Sequence, residues 1–97
     1  MKSNQKVFIT GASSGIGAAI AAEYAGQGAI LGLVARREAK LEAIKNKCLE
    51  LGAEDVKTYS LDVTDVDQSL STVKDFIDWK SEGIDIVVAN AGVAFSD

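Results

Sequence analysis

Thr10-Gly11-Ala12-Ser13-Ser14-Gly15-Ile16-Gly17 is the stretch on which the reading of this chain turns. Val7-Phe8-Ile9 in front of it is a short apolar run of β-favouring residues and reads as a buried parallel strand. Behind it, an alanine-rich segment puts Ile16, Ala19, Ile20 and Tyr24 on one helical face. A glycine-rich turn between a buried strand and a helix is how nucleotide-binding α/β proteins cradle phosphate. The glycines let the backbone turn tightly and approach a pyrophosphate, and the first N–H groups of the helix point at the anion. The order here is Gly-x-x-x-Gly-x-Gly, so the commoner Gly-x-Gly-x-x-Gly pattern is not matched residue for residue.

Outward from this stretch the chain alternates strand and helix. The first helix is predicted from about Gly15 to Gln27, with Gly28 just past its end. Ala29 to Ala35 is a continuous apolar run, a strand buried on both faces, with Arg36 and Arg37 at its carboxyl end. Glu38 to Leu51 reads as a helix burying Leu41, Ile44, Cys48 and Leu51, and Gly52 stops it. Val56 to Leu61 alternates more, as an edge strand does, and Asp62-Val63 closes it. Thr64 with Asp67 three residues on marks the start of a third helix. Its apolar face is Val66, Leu70, Val73, Phe76 and Ile77, with Trp79 packing near its end at about Lys80. Gly83 breaks it, and Ile84 to Ala89 is the fourth strand, followed by Asn90-Ala91-Gly92. The whole is one β-α-β-α-β-α-β unit, a parallel sheet with right-handed crossovers.

Composition narrows the function classes. Ninety-seven residues, 47% hydrophobic and 25% charged, make one small globular domain. A net charge of −4 argues against nucleic acid or an anionic membrane as the main partner. One cysteine excludes an internal disulfide, and with no histidine a zinc site is not expected. Cys48 reads as core. No segment resembles a signal peptide or membrane span, and the expected location is cytoplasmic.

Thr10-Gly-x-x-x-Gly-x-Gly17, Asp62-Val63 and Asn90-Ala91-Gly92, each at the end of a predicted strand, resemble the amino-terminal half of a short-chain dehydrogenase/reductase. The resemblance covers essentially the whole chain. Ala89 stands where many relatives carry a second asparagine. It implies a Rossmann-like, doubly wound sheet in strand order 3-2-1-4, truncated here, with residues 1–97 as the NADP-binding half-domain. It puts Gly11, Ser13, Ser14, Gly15, Ile16 and Gly17 on the cofactor pyrophosphate, the two serines as added hydroxyl donors. Asp62 is expected to hold the adenine amino group while the Val63 backbone reads the ring edge. Asn90, Ala91 and Gly92 are expected beside the ribose on the nicotinamide side. Arg36 and Arg37 stand about twenty residues past Gly17, where a carboxylate would select NAD and an arginine accommodates the 2′-phosphate of NADP. Guanidinium forks suit phosphate, so the expected cofactor is NADP.

The family's chemistry rests on a serine, a tyrosine and a lysine four residues after that tyrosine. Tyr24 is followed at that distance by Gly28, and Tyr59 by Val63, so this chain has no Tyr-x-x-x-Lys and no candidate catalytic residue. The reading is therefore the cofactor part of an NADP-dependent dehydrogenase acting on an alcohol or carbonyl substrate, inactive as this chain alone for want of a proton donor. A non-catalytic nucleotide-binding module and a structural fragment are the alternatives. The fourth strand lies at a sheet edge and the face under the third helix is thinly covered, so self-association is expected.

Overall fold

Val7, Phe8 and Ile9 are all buried because β1 (Lys6–Thr10) runs inside the sheet with a parallel neighbour on either side. The computed structural model describes residues 4–62 and 64–90. Val63, Ala91 and Gly92, three of the expected cofactor contacts, lie outside the described residues. The elements follow as α1 (Gly15–Gly26), β2 (Ile30–Ala35), α2 (Glu38–Leu51), β3 (Asp55–Ser60), α3 (Val66–Asp78) and β4 (Ile86–Ala89). All pairings are parallel and the spatial order is β3-β2-β1-β4, as expected. The sheet is a Rossmann-like α/β sheet.

Alternation along the strands sorts side chains onto two faces. Val7, Ile9, Leu31, Leu33 and Val56 point to one face, where they meet Ala21 and Ala25 of α1 and Leu41 and Cys48 of α2. Phe8, Ile30 and Val34 point to the other and meet Phe76 of α3, with Tyr59 and Trp79 packed around them. Gly32 of β2 makes that second layer possible: a Cβ there would come within 2.8 Å of the Phe76 ring. Trp79 does close the end of α3, its ring centroid 5.9 Å from that of Phe76. Cys48 is core, and burial pushes its thiol pKa up, so no reactive thiolate is stabilised there.

Several helix faces differ from expectation. On α1 the buried residues are Gly17, Ala21 and Ala25, with Ile20 and Tyr24 half-buried; Ile16 is 60% exposed and Ala19 is exposed. Small residues recur every fourth position because α1 lies close against the sheet, and that proximity leaves no space for a larger inward stripe. Leu51 at the end of α2 is exposed. On α3 Thr72 and Phe76 are buried, whereas Val66 and Leu70 are 66% and 58% exposed. The helix rolls so that Phe76 reaches the notch at Gly32, which turns the other apolar stripe away from the sheet. Its N-cap is Asp65, whose carboxylate accepts from the Gln68 N–H at 3.1 Å. Thr64, the expected start signal, instead gives its hydroxyl to Asp62.

Candidate functional site

The carboxyl ends of β1, β2, β3 and β4 bring the expected cofactor residues to one edge of the sheet, where open parallel sheets bind ligands. The glycine loop between β1 and α1 is tied down on three sides. The Ala12 N–H donates to the Val34 carbonyl of β2 at 2.9 Å. The Gly11 carbonyl accepts from the Ser14 N–H at 3.2 Å, the Ser14 hydroxyl at 2.9 Å and the Asn90 Nδ2 at 3.1 Å. The Ser14 oxygen in turn accepts from the Gly17 N–H at 3.0 Å and from the Asn90 Nδ2 at 2.8 Å.

Ser14 is thus the N-cap of α1, and its hydroxyl proton lies on the Gly11 carbonyl rather than being offered outward. Capping leaves the first helical N–H groups as donors. Those of Gly15 and Ile16 make no bond among the described residues, and both residues are exposed at the loop mouth. Gly17 cannot carry a side chain, because a Cβ would overlap the Gly11 carbonyl oxygen. Gly15 differs: a Cβ there would meet nothing within 4 Å.

At the other end of this edge, Arg36 and Arg37 leave β2 exposed, and Arg37 opens α2 without a side-chain cap. The Ser60 hydroxyl donates to the Arg36 carbonyl at 2.9 Å and the Leu61 N–H to the Ala35 carbonyl at 3.0 Å, which fastens the loop after β3 to the end of β2. Asp62 sits in that loop, exposed. Its Oδ1 accepts from the Thr64 N–H at 3.0 Å and the Thr64 hydroxyl at 2.8 Å. These bonds, and beyond them the Arg36 guanidinium, hold the Asp62 carboxyl below the usual carboxylate range. The pair expected at the adenosine end is therefore within electrostatic reach, with the carboxylate ionised.

Two groups escaped the sequence reading. Lys6 looks like a solvated terminal charge but is 1% exposed, its ammonium donating to the carbonyls of Phe76 at 2.6 Å and Trp79 at 2.6 Å. Asn90 was expected beside a ribose, and its role as a donor to the glycine loop had no sequence signal. Among the described residues no helix is long and apolar enough to cross a membrane, and no His, Cys, Asp or Glu cluster could hold a metal ion.

A four-stranded parallel sheet in this order, with a capped glycine loop at its carboxyl edge, defines a Rossmann-like nucleotide-binding architecture. The chain matches the sequence model of the short chain dehydrogenases over residues 5–97 and belongs to that family of oxidoreductases, which use NAD or NADP. It is 44% identical over 88 residues to 11-beta-hydroxysteroid dehydrogenase-like 4A of Arabidopsis thaliana, covering 91% of this chain but 29% of that protein. Among solved structures it is similar to an alcohol dehydrogenase from Thermococcus sibiricus complexed with 5-hydroxy-NADP. The TM-score is 0.85 at 35% identity, over 95% of this chain and 39% of the other. An NADH-dependent reductase complexed with NAD is also similar, with a TM-score of 0.80 at 32% identity, over 92% of this chain and 36% of the other. The chain thus spans about 29% of the length of its Arabidopsis relative.

Proposed function

We propose that this chain is the NADP-binding part of a short-chain dehydrogenase that moves hydride between the nicotinamide cofactor and an alcohol or carbonyl substrate. The observation that carries the choice of NADP is Arg36 at the end of β2, beside an ionised Asp62 and with no carboxylate of its own segment before Glu38. Arg36 and Arg37 would hold the 2′-phosphate, Asp62 would accept the adenine amino group through Oδ2, and Val63 would line the ring. Gly15 and Ile16 would present their N–H groups to the pyrophosphate. Gly11, Ser13, Ser14 and Gly17 would shape the loop around it, and Asn90, Ala91 and Gly92 would border the nicotinamide side. The donor set suits a dianionic linker and a phosphate monoester. When bound, the cofactor supplies the hydride; the proton donor that must accompany it is not among these 97 residues, since no Tyr-x-x-x-Lys occurs. Residues 1–97 are then a cofactor half-domain, and turnover belongs to a longer chain.

The test is a titration of NADPH and NADH against the wild type and Arg36→Ala. NADPH should bind more tightly. Arg36→Ala should remove about 1.5–3 kcal/mol of that preference, the range for a hydrogen bond to a charged group. Equal affinities in the wild type would overturn the assignment of NADP.

A further inference from the structure

We propose that Ser60 is a positioning residue for cofactor choice: its hydroxyl fixes the peptide unit shared by Arg36 and Arg37 and so aims the pair at a 2′-phosphate. This rests on the cofactor reading above. The case begins with three successive carbonyls at the turn from β2 into α2. The Ala35 carbonyl accepts from the Leu61 N–H at 3.0 Å, the Arg36 carbonyl from the Ser60 hydroxyl at 2.9 Å and the Arg37 carbonyl from the Leu41 N–H at 3.1 Å. The first of these bonds continues the ladder between β2 and β3, and the last is the opening turn of α2. Both are made by backbone and need no particular side chain. Between them the ladder has run out, Ala35 and Ser60 being its last pair in register, and the helix has not begun. The Ser60 side chain carries the tie between the two strands one carbonyl further.

The place of that bond gives it leverage. A peptide unit is planar, so the one between Arg36 and Arg37 sets ψ of the first and φ of the second together. Arg37 is held extended, with φ −97° and ψ 108°, and opens α2 without a side-chain cap. One hydrogen bond therefore bears on where both guanidinium groups leave the backbone. Arginine side chains give up much rotamer freedom on binding, and a fixed root shortens the search each must make for its ligand. Asp62 comes two residues after Ser60, so the same hydroxyl spaces the segment expected at adenine from the segment expected at the 2′-phosphate. The core does not require this hydroxyl: Ser60 is exposed, where water would satisfy it equally.

The experiment titrates NADPH, NADH and adenosine 2′-phosphate against the wild-type chain, Ser60→Ala and Ser60→Thr. Ser60→Ala should weaken NADPH and adenosine 2′-phosphate about fivefold each, the effect of one modest hydrogen bond, and leave NADH within about twofold. Ser60→Thr keeps a hydroxyl and should bind NADPH within about twofold of the wild type. In a chain that already carries Arg36→Ala and Arg37→Ala, adding Ser60→Ala should weaken NADPH no further, because the hydroxyl acts through those two side chains. Equal losses for NADPH and NADH would mean that Ser60 merely holds the loop together, and would overturn the proposal. So would undiminished NADPH binding in Ser60→Ala, a threonine variant as weak as the alanine one, or a loss that persists without the arginines. A wild type with no preference for NADPH overturns the NADP reading itself, and the proposal with it.

Discussion

Gly15 and Gly17 carry the same side chain, or lack of one, for different reasons. At Gly17 the fold itself demands it, since the helix starts against the Gly11 carbonyl. At Gly15 the surroundings are open and φ is not positive, so neither packing nor backbone conformation accounts for the residue. On the cofactor reading proposed above, close approach of the pyrophosphate would account for it. Gly15→Ala should therefore leave the fold intact or stabilise it, by up to about 1 kcal/mol as expected for Gly to Ala in a helix, while weakening NADPH binding. Gly17→Ala should destabilise by about 1–3 kcal/mol, the usual range for overpacking. Thermal unfolding and cofactor titration on both variants check this; a Gly15→Ala variant that binds NADPH like the wild type would remove the ligand explanation. At this scale the placement of the glycine loop, Asp62 and the arginines at the carboxyl ends of the strands was legible, because each residue type has few uses at the end of a strand. The job of Ser14 was not, because which of its three bonding capacities remains open depends on Asn90, far along the chain.

Among the elements, α3 shows what periodicity can and cannot say. Its limits follow from its apolar residues, but only part of the expected face is buried: Phe76, with Val73 packed beside it, faces the sheet, while Val66 and Leu70 are exposed. Phe76 lies over Gly32, where a Cβ would come within 2.8 Å of its ring. The same helix is held at its far end by Lys6 of β1. The three N–H groups of the ammonium are shared among the carbonyls of Phe76, Ile77, Trp79 and Ser81, and the nitrogen lies 4.8 Å from the Phe76 ring centroid. A cation among the carbonyls at and just past the end of a helix complements its dipole. Here it adds a charged donor to Phe76 and Ile77, which also accept from the Trp79 and Gly83 N–H groups, as well as to Trp79 and Ser81. Lys6→Met keeps the stem's bulk but leaves those buried carbonyls without the charge. It should cost about 1.5–3 kcal/mol in equilibrium unfolding and quicken amide exchange in the last turn of α3. Arg at this position should not restore stability, since a planar fork cannot gather four converging carbonyls. A Met variant as stable as the wild type would show that the carbonyls find other donors. No sequence pattern announces this role: the acceptors lie 70 to 75 residues away.

For the molecule as a whole, the two edges of the sheet are unlike. The β3 edge carries Lys57 and Asp55, paired with Asp75 at 2.6 Å and Lys80 at 2.9 Å, and charges of this kind discourage further strands from adding. The β4 edge carries Ile86, Val87 and Val88. Val87 is in register with Phe8 and so faces the α3 side of the sheet, yet is 61% exposed. On the opposite face Ile86 and Val88 line an open groove with Ile20 and Tyr24 of α1. The β4 edge thus presents apolar side chains on both faces of the sheet. The 97-residue chain should therefore self-associate through this edge, and amides of residues 84–89 should be protected from exchange only in the associated form. Sedimentation across a dilution series checks it. A monomer that unfolds cooperatively at high dilution with that strand protected would contradict it. Strand order and the exposed edge were both legible, because parallel crossovers leave few topologies open.

The bond from Asn90 to the glycine loop also sets an order of events. Residue 11 waits for residue 90. Closing a loop of that length costs more chain entropy than the nearer pairings of β1, β2 and β3, so this bond is expected to form after them. On a ribosome the loop would emerge early and stay unset until the fourth strand had docked. Cofactor capture would then mark the moment at which this unit is finished.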